Sequence, residues 1–169
     1  MKKKVAINGF GRIGRLVYRA FLERSNEFSD HYEIAYINDL ADIDTNIHLL
    51  KYDSIHGPLS KEINKISNEQ FSIEENKVTV TSERNPIDLK WSDKNVDIIL
   101  ECTGVFASKD KAMSHVESGA SKVIVSAPCS GADITVVQGV NNKNINLDHQ
   151  VISNASCTTN CLAPVAFVI

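Results

Sequence analysis

The sequence predicts an α/β fold with a doubly wound, mostly parallel sheet and an antiparallel insertion. Glycines recur as Gly9-x-Gly11-x-x-Gly14 directly after a short apolar strand, which is typical of a turn between a strand and a helix. Strand and helix patterns then alternate along the chain, and residues 96–102 form a nearly continuous apolar run. Such a run is typical of a parallel sheet that helices cover on both faces. Together these observations favour the Rossmann type of α/β arrangement.

Composition limits the classes of function. The chain has 169 residues, 43% of them hydrophobic, which is enough for one sizeable core and the beginning of another domain. Its net charge of −3 gives no electrostatic reason to expect a nucleic acid or a membrane as partner. The four cysteines have neither a disulfide framework nor metal-ligand spacing, so we expect no metal and a reducing compartment. The first apolar run is too short for a signal peptide, and the expected location is cytoplasmic.

Each glycine of the first turn has its own expected role. Gly9 permits the tight turn, Gly11 lets the backbone approach a pyrophosphate, and Gly14 lets the helix pack closely on the strand. The phosphates of a dinucleotide would lie over the N-terminus of this helix. The helix itself is indicated by apolar residues at helical spacing: Ile13, Leu16, Val17, Ala20 and Phe21.

A second strand, residues 33–39, ends in Asp39. An acid at this point of a βαβ unit is the candidate to bind the adenosine ribose hydroxyls, and it favours NAD over NADP because it repels a 2′-phosphate. The gap from Gly14 is slightly longer than the usual roughly 20 residues, which a loop near residues 26–30 would absorb. The alternative is that Asp39 is an ordinary turn residue.

The middle of the chain departs from the alternation of strands and helices. Asp42 is expected to cap a helix that carries Ile43, Ile47 and Leu50. Residues 61–91 then read as short, exposed antiparallel strands. We expect an insertion there that covers one edge of the sheet.

Two further strands bring small and polar residues to the ligand-binding edge of the sheet. Thr103 and Gly104 follow the apolar strand 96–102, and Ser126 ends the strand 122–126. Between these strands, a helix that begins at Ser108 or Asp110 is stopped by Gly119. Open α/β sheets bind ligands at the carboxyl ends of their strands, so all three residues are expected to face one crevice.

Near the end of the chain, Cys157 stands where polar loop residues give way to apolar ones. This pattern is typical of a thiol at a helix N-terminus. A thiol there is reactive, because free N–H groups and the positive end of the helix dipole favour the thiolate. Ser156 or Thr158 can supply the cap or an anion contact. The alternative is a packed, inert cysteine.

With these features in place, the whole chain resembles the phosphorylating glyceraldehyde-3-phosphate dehydrogenases. The segments that carry the resemblance are Ile7-Asn-Gly-Phe-Gly-Arg-Ile-Gly-Arg15, Asn38-Asp39, Leu50-Lys-Tyr-Asp-Ser-Ile-His-Gly57, Glu83-Arg84, Cys102-Thr-Gly104, Ser126-Ala-Pro128, Gly139-Val-Asn141 and Ser153 through Pro164. The last segment is highly specific to the family, although erythrose-4-phosphate dehydrogenases share its cysteine motif. The resemblance implies NAD as cofactor, glyceraldehyde 3-phosphate and inorganic phosphate as substrates, and a homotetramer.

The resemblance also implies roles for individual residues. The residues implied to contact the cofactor are Gly9, Gly11, Arg12, Ile13, Gly14, Asn38, Asp39, Arg84, Thr103, Gly104 and Ser126. Of these, Arg12 and Ile13 would offer backbone groups to the pyrophosphate. For Arg84 the alternative interpretation is a solvated charge in a turn. Ser156, Cys157 and Thr158 would contact the substrate, with Cys157 as the nucleophile. Cys161 is expected to be a packing residue, and Pro164 to kink a helix without ending it.

The implied reaction begins with attack of the Cys157 thiolate on an aldehyde carbon. The thiohemiacetal loses hydride to the nicotinamide, and phosphate cleaves the resulting thioester to an acyl phosphate. The family's general base is a histidine well downstream of the cysteine, which none of His31, His48, His56, His115 or His149 matches.

We therefore expect a partial chain, with residues 1–152 as the dinucleotide-binding domain and 153–169 as the start of the catalytic domain. Such a piece is expected to bind NAD weakly and to show little turnover. Two other readings stay open: a non-catalytic NAD-binding module, and an erythrose-4-phosphate dehydrogenase.

Overall fold

A nine-stranded sheet forms the centre of the molecule, and the computed structural model describes all residues from 1 to 169. The strands are β1 Lys3–Asn8, β2 Tyr32–Asn38, β3 Tyr52–Asp53, β4 Gly57–Pro58, β5 Ile63–Lys65, β6 Gln70–Ile73, β7 Asn76–Thr81, β8 Ile98–Glu101, β9 Lys122–Val125, β10 Ile134–Thr135 and β11 Val151–Ser153. The α-helices are α1 Arg12–Glu23, α2 Ser25–Phe28, α3 Ile43–Lys51, α4 Trp91–Lys94, α5 Lys109–Glu117 and α6 Cys157–Val168. Short 3-10 helices span Pro86–Leu89 and Asn142–Asn144.

The sheet has the order β10-β11-β9-β8-β1-β2-β7-β6-β5, and β3 and β4 form a separate antiparallel pair. Every pair from β10 to β7 is parallel. Since β2 and β8 flank β1, the chain winds outward from β1 in both directions, and the switch point lies at the carboxyl end of β1. The predicted doubly wound, mostly parallel α/β fold is confirmed.

The antiparallel segment differs from the prediction in its position and burial. Strands β5, β6 and β7 do pair antiparallel, but β7 also pairs in parallel with β2. The segment therefore extends the sheet sideways and does not cover its edge. It is not fully exposed either, because Phe71, Ile73 and Val78 are completely buried beneath α1 and α3. A helix that packs on a short strand buries one face of it. The alternation of apolar and polar residues along the strand does not show whether such a helix is present.

Two hydrophobic clusters lie on opposite faces of the sheet. Helices α1 and α3 cover one face, where Ile7 and Ile37 are fully buried. Helices α4 and α5 cover the other, where Trp91, Ile99 and Val123 are fully buried. Successive residues of β1 alternate between the clusters, as a strand between two helical layers requires.

Helix α6 packs differently from the others. None of its residues is buried, although it is strongly apolar, and Leu162, Val165, Phe167 and Val168 are exposed. Cys161 is exposed as well, so the expectation that it is a packing residue is wrong for the structure of these 169 residues. The helix continues past Pro164 to Val168, as predicted. No helix combines the length and the apolar character needed to cross a bilayer.

Candidate cofactor crevice and nucleophile helix

A crevice of about 430 Å³ opens at the switch point of the sheet. It is lined by Asn8, Gly9, Gly11, Asn38, Asp39, Leu40, Glu83, Arg84, Cys102, Thr103, Val105 and Phe106. Six of the predicted cofactor residues are among them: Gly9, Gly11, Asn38, Asp39, Arg84 and Thr103. A larger cleft of about 690 Å³ near Lys2, Lys4 and Trp91 contains none of the predicted site residues.

The glycine turn has the geometry that its spacing predicts. Gly9 adopts a φ of 88°, and a Cβ built on it would lie 2.7 Å from the backbone nitrogen of Thr103. A Cβ on Gly14 would lie 2.2 Å from the carbonyl oxygen of Gly9, so α1 packs directly on the turn. Around Gly11 there is open space, with no atom within 4 Å of an added Cβ. The backbone at Gly11 is thus accessible to a ligand in the crevice.

The carboxylate of Asp39 is fixed against the glycine turn. Its Oδ2 accepts a 2.7 Å hydrogen bond from the Phe10 backbone nitrogen, and its Oδ1 accepts one of 2.9 Å from that of Ala41. Each oxygen keeps a second lone pair, so the carboxylate can still accept hydroxyl donors from a ligand. Asp39 is therefore held in place before any ligand binds.

Asn38 and Arg84 are connected through the backbone of Glu83. The buried Asn38 amide donates to the Glu83 carbonyl at 2.8 Å and accepts from the Glu83 nitrogen at 2.8 Å. Because its polar atoms are used within the protein, the Asn38 side chain holds the loop and does not offer a free contact to a cofactor. Arg84 is exposed, as its turn environment suggested, but the loop brings it to the crevice.

The segment after β8 forms the opposite wall. Thr103 lies against Gly9, and its Oγ1 accepts a 3.0 Å hydrogen bond from the Val105 nitrogen. Gly104, with a φ of 75°, is exposed beside it. Burial raises the pKa of the neighbouring Cys102 thiol to about 11, while a contact with Ser126 opposes this shift.

Several predicted residues lie outside the crevice lining. Arg12 and Ile13 are exposed on the first turn of α1, and Gly14 is buried behind the turn. Ser126 is half-buried after β9, where its nitrogen donates to the Glu101 carbonyl at 2.9 Å. None of these four lines the crevice itself, and neither does Gly104.

Cys157 is the first residue of α6 and is exposed. Of the two predicted capping residues, Ser156 is the cap: its Oγ accepts a 2.9 Å hydrogen bond from the Thr159 nitrogen. The preceding Ala155 is buried with a φ of 57°, an unusual conformation for a residue with a Cβ. Its nitrogen donates to Ser153 Oγ at 3.2 Å, so the tight turn is held from inside.

The sheet brings Cys157 to the same edge as the crevice. Helix α6 follows β11, which runs parallel to β9 and β8. With roughly 4.8 Å between neighbouring strands, the end of β11 lies about 10 Å along the edge from the end of β8. The substrate-segment residues Ser156, Cys157 and Thr158 are therefore beside the crevice but not part of its lining.

Sequence reasoning missed some residues around the crevice. Leu40, Val105 and Phe106 line it with apolar surface, and Cys102 contributes its thiol. Asn8, which is buried and polar, also lines the crevice, and the buried Glu101 lies beneath it. A charged residue at the end of an otherwise apolar strand is the one signal that could have identified Glu101.

The switch-point crevice, the glycine turn and the fixed acid at the end of β2 define a dinucleotide-binding α/β domain. A family model described as glyceraldehyde 3-phosphate dehydrogenase, NAD binding domain, matches residues 3–109. The chain belongs to this family, and NAD is its cofactor.

Relatives with known names are similar along the whole chain. The glyceraldehyde-3-phosphate dehydrogenase of Xanthobacter flavus is 50% identical over 169 residues, which are 100% of this chain and 49% of that protein. The enzyme of the same name from Mycoplasma pneumoniae is 50% identical over 167 residues, 98% of this chain and 48% of the relative. That of Geobacillus stearothermophilus is 48% identical over 170 residues, 100% of this chain and 49% of the relative. The chain spans about half the length of the curated relatives it matches.

Proposed function

We propose that this chain supplies the NAD site and the nucleophile of a phosphorylating glyceraldehyde-3-phosphate dehydrogenase. The observation that carries the proposal is the exposed Cys157 at the first position of α6, on the sheet edge that also bears the crevice. Its substrates are glyceraldehyde 3-phosphate and inorganic phosphate, and its product is 1,3-bisphosphoglycerate. The reaction is a step of glycolysis in the cytoplasm.

The residues of the crevice fit a dinucleotide. The pyrophosphate would lie over the first turn of α1, near Gly9, Gly11, Arg12, Ile13 and Gly14, where the N–H groups of the helix N-terminus can donate hydrogen bonds to an anion. Asp39 binds the adenosine ribose, and Arg84, Thr103, Gly104 and Ser126 contact the remainder of the cofactor. Asn38 contributes by holding the Glu83–Arg84 loop. When bound, NAD supplies the acceptor for hydride.

Cys157 carries out the covalent chemistry in this proposal. Its thiolate sulfur forms a bond with the aldehyde carbon, and the carbonyl oxygen takes up a proton. Loss of this hydroxyl proton and of hydride from the same carbon converts the thiohemiacetal to a thioester. A phosphate oxygen then displaces the sulfur, which leaves as thiolate. The free N–H groups at the start of α6, with Ser156 and Thr158, stabilise negative charge on the sulfur and on the substrate.

The general base comes from a part of the native protein outside these residues. Of the five histidines, His115 is fully buried and His56 pairs with Asp53, with Nδ1 3.1 Å from Oδ1. Neither lies in the crevice lining, and none of the other three does. We propose residues 1–152 as the dinucleotide-binding domain and 153–169 as the first helix of a catalytic domain.

Two uncovered apolar surfaces support this division. One is the exposed side of α6. The other is a groove of about 410 Å³ between α1 and the sheet, lined by residues that include Phe21, Ile98, Leu100 and Ile124. Apolar surface of this kind is normally covered in a native protein. In our proposal the remaining half of the protein covers both surfaces, and a homotetramer forms.

The cofactor part is tested by calorimetric titration of the 169-residue chain with NAD, with NADP as competitor. Saturable binding with NAD preferred is expected, because the Asp39 carboxylate accepts ribose hydroxyls and repels a 2′-phosphate. Asp39→Asn should reduce this preference by roughly tenfold or more. A folded chain that prefers NADP would contradict the role of Asp39.

The catalytic part is tested with the native protein that contains this chain. Cys157→Ser should abolish phosphate-dependent aldehyde oxidation, whereas Cys161→Ser, four residues along the same helix, should retain it. If the protein oxidises erythrose 4-phosphate faster than glyceraldehyde 3-phosphate, erythrose 4-phosphate is the substrate and the proposed substrate is wrong. Full activity of Cys157→Ser would contradict the role of Cys157 as nucleophile, and no aldehyde oxidation by the wild-type native protein would leave only an NAD-binding module.

A further inference from the structure

A network of buried polar side chains extends from the wall of the crevice into the protein beneath it. It consists of Trp91, His115, Glu101, Asn8 and Asn38, and the proposed chemistry uses none of them except Asn38. Glu101 is 1% exposed and His115 is 0% exposed. No lysine or arginine forms an ion pair with Glu101, and its one charge partner within salt-bridge distance is His115. An acid buried this deeply needs several donors to offset the loss of solvation.

The hydrogen bonds of His115 indicate which of its ring nitrogens accepts and which donates. The indole nitrogen of Trp91 can only donate, and it lies 3.1 Å from Nδ1 of His115, which must therefore accept. The proton of the neutral ring is then on Nε2, which donates to Oε2 of Glu101 at 3.1 Å. Trp91 thus determines which ring nitrogen of His115 faces the acid as a donor.

Four donors converge on the Glu101 carboxylate. Oε2 accepts from His115 and from Asn8 Nδ2, the latter at 2.6 Å. Oε1 accepts from the Thr103 nitrogen at 2.7 Å and from the Thr103 hydroxyl. An ionised carboxylate can accept all four bonds at once, whereas an amide at this position would have one oxygen only.

The same carboxylate connects three segments of the crevice wall. It holds the Thr103 turn directly and the strand end before Gly9 through Asn8. Asn8 Oδ1 accepts from Asn38 at 2.7 Å, and Asn38 holds the Glu83–Arg84 loop. The three segments follow β8, β1 and β7, and Asn38, which ends β2, connects the last two.

We propose that Glu101 is a positioning residue for cofactor binding and that His115, oriented by Trp91, fixes its carboxylate. The proposal rests on the role of the crevice as the NAD site. In it, the network holds the Gly9 turn, the Arg84 loop and the Thr103 turn at the separation that the dinucleotide needs. Loss of the carboxylate lets the three segments move apart, which weakens NAD binding even where the fold persists.

Glu101→Gln is the first test, because it keeps the shape of the side chain and removes one acceptor oxygen. The new amide must direct its N–H groups either at Thr103 or at His115 and Asn8, all of which are donors. NAD affinity is expected to fall roughly ten- to a hundredfold, the usual cost of losing hydrogen bonds to a charged group. The backbone amide of Thr103 should also lose its protection from hydrogen exchange.

Two substitutions of His115 separate positioning from packing. His115→Leu removes the donor to Glu101 and the acceptor for Trp91, so NAD affinity should fall. His115→Gln retains one acceptor and one donor and should recover part of that loss. Trp91 is the only tryptophan, so its single indole N–H resonance reports directly on the hydrogen bond to residue 115. This resonance should shift in the leucine variant and less in the glutamine variant.

Ser118→Ala is the matched control for stability. The Ser118 hydroxyl accepts a 3.1 Å hydrogen bond from the Trp91 backbone nitrogen, so its loss disturbs the same tryptophan but not the carboxylate. This variant should melt earlier than the wild type yet bind NAD with unchanged affinity. All titrations are made well below the melting temperature of the variant concerned.

The proposal is overturned if folded Glu101→Gln binds NAD as the wild type does. It is also overturned if the NAD affinity of Ser118→Ala falls in proportion to the decrease in its melting temperature. Loss of stability alone would then explain a weaker affinity in the Glu101 variant. Should Glu101→Gln fail to fold, Thr103→Val serves instead, because it removes only the hydroxyl donor. Unchanged NAD affinity and Thr103 amide exchange in that variant would overturn the proposal. Failure of the proposed enzymatic function is distinguishable, because it concerns turnover by the native protein and leaves these NAD affinities unaffected.

Discussion

The cofactor crevice and helix α6 share one edge of the sheet but are built differently. Around the crevice, Asp39 and Asn38 are already fixed by hydrogen bonds to other segments of the chain, and Thr103 by hydrogen bonds to the buried Glu101. Helix α6 is fixed at its N-terminus, through Ser156 and Asn160, and its large apolar side chains are exposed. The comparison indicates that one half of the site is pre-organised within these residues, while the other depends on contacts with another segment or molecule.

The largest expected difference is between two phenylalanines. Phe71 is 0% exposed on β6, whereas Phe167 is 66% exposed on α6. Phe71→Ala should lower the free energy of unfolding by about 3–5 kcal/mol, because it leaves a cavity in the core. Phe167→Ala should change it by less than about 0.5 kcal/mol. Urea denaturation of both variants measures this, and a large loss for Phe167→Ala would show that α6 is packed after all.

Cysteine labelling compares the two regions through their thiols. Cys102, in the crevice wall, has a pKa raised from 9.0 to about 11 by burial, whereas Cys157 is exposed. The shift lowers the thiolate fraction of Cys102 at pH 8 about a hundredfold, so iodoacetamide should modify Cys157 first. Labelling of Cys102 should increase about tenfold per pH unit until the pH approaches 11. Peptide mass mapping with Cys157→Ser as control measures both rates, and equal rates at pH 8 would contradict the expected burial.

Two glycines of the turn separate folding from binding. Gly14→Ala would place its Cβ 2.2 Å from the Gly9 carbonyl oxygen, so we expect a loss of about 1–3 kcal/mol in stability. Gly11→Ala meets open space and should lose only about 0.5–1 kcal/mol, because alanine is a poorer N-cap than glycine. It should nevertheless bind NAD more weakly, because the methyl group occupies the approach to the backbone. Thermal denaturation and NAD titration distinguish these effects. If Gly11→Ala binds NAD with wild-type affinity, the proposed position of the pyrophosphate near Gly11 is contradicted.

The smallest expected effect concerns Asp133, which holds β11 just before α6. Its Oδ2 accepts from the nitrogens of Gln150 at 2.9 Å and Val151 at 2.8 Å. The hydrogen bond from Lys109, followed by that from Val151, lowers the pKa of Asp133 from 3.8 to about 2. Asp133→Asn should lower the free energy of unfolding by about 1 kcal/mol at neutral pH. This is less than the usual contribution of hydrogen bonds to a charged group, because Asp133 is partly exposed to solvent.

The sign of the pH dependence follows from the lowered pKa. The stabilisation from Asp133 is complete above the unfolded-state pKa and is lost as the pH falls from about 4 toward 2. The difference between wild type and Asp133→Asn should therefore shrink over this range in urea denaturation. A difference that persists at pH 2 would contradict the assignment.

Local sequence was enough to predict the first βαβ unit and the beginning of α6. Glycine is required at position 9 by the backbone conformation of the turn and at position 14 by the close packing of the helix on that turn. Both requirements involve residues near in sequence, so the local spacing of glycines was enough to predict them. Asp42 and Ser156 cap helices through contacts three residues away, and the sequence displays such spacing directly. The family motif around Cys157 likewise lies within one short segment.

Distant contacts were harder to predict. Pairing of β7 with β2, and the position of Arg84 at the crevice, depend on Asn38 reaching Glu83 across 45 residues. Cys161 was predicted to be a packing residue because it matches a non-catalytic cysteine of the family four residues beyond Cys157, but no residue of α6 is buried.

The sequence by itself determined the fold class, the glycine turn, the acid at the end of β2 and the family of the protein. These features are encoded by residue types at short, fixed spacings, where backbone sterics and hydrogen-bond geometry leave few alternatives. Only the tertiary structure decided that Glu101, His115 and Trp91 meet beneath the crevice, since their separations along the chain carry no periodic pattern. Their side chains converge because a buried carboxylate requires donors from whichever strands and helices the parallel sheet brings within reach.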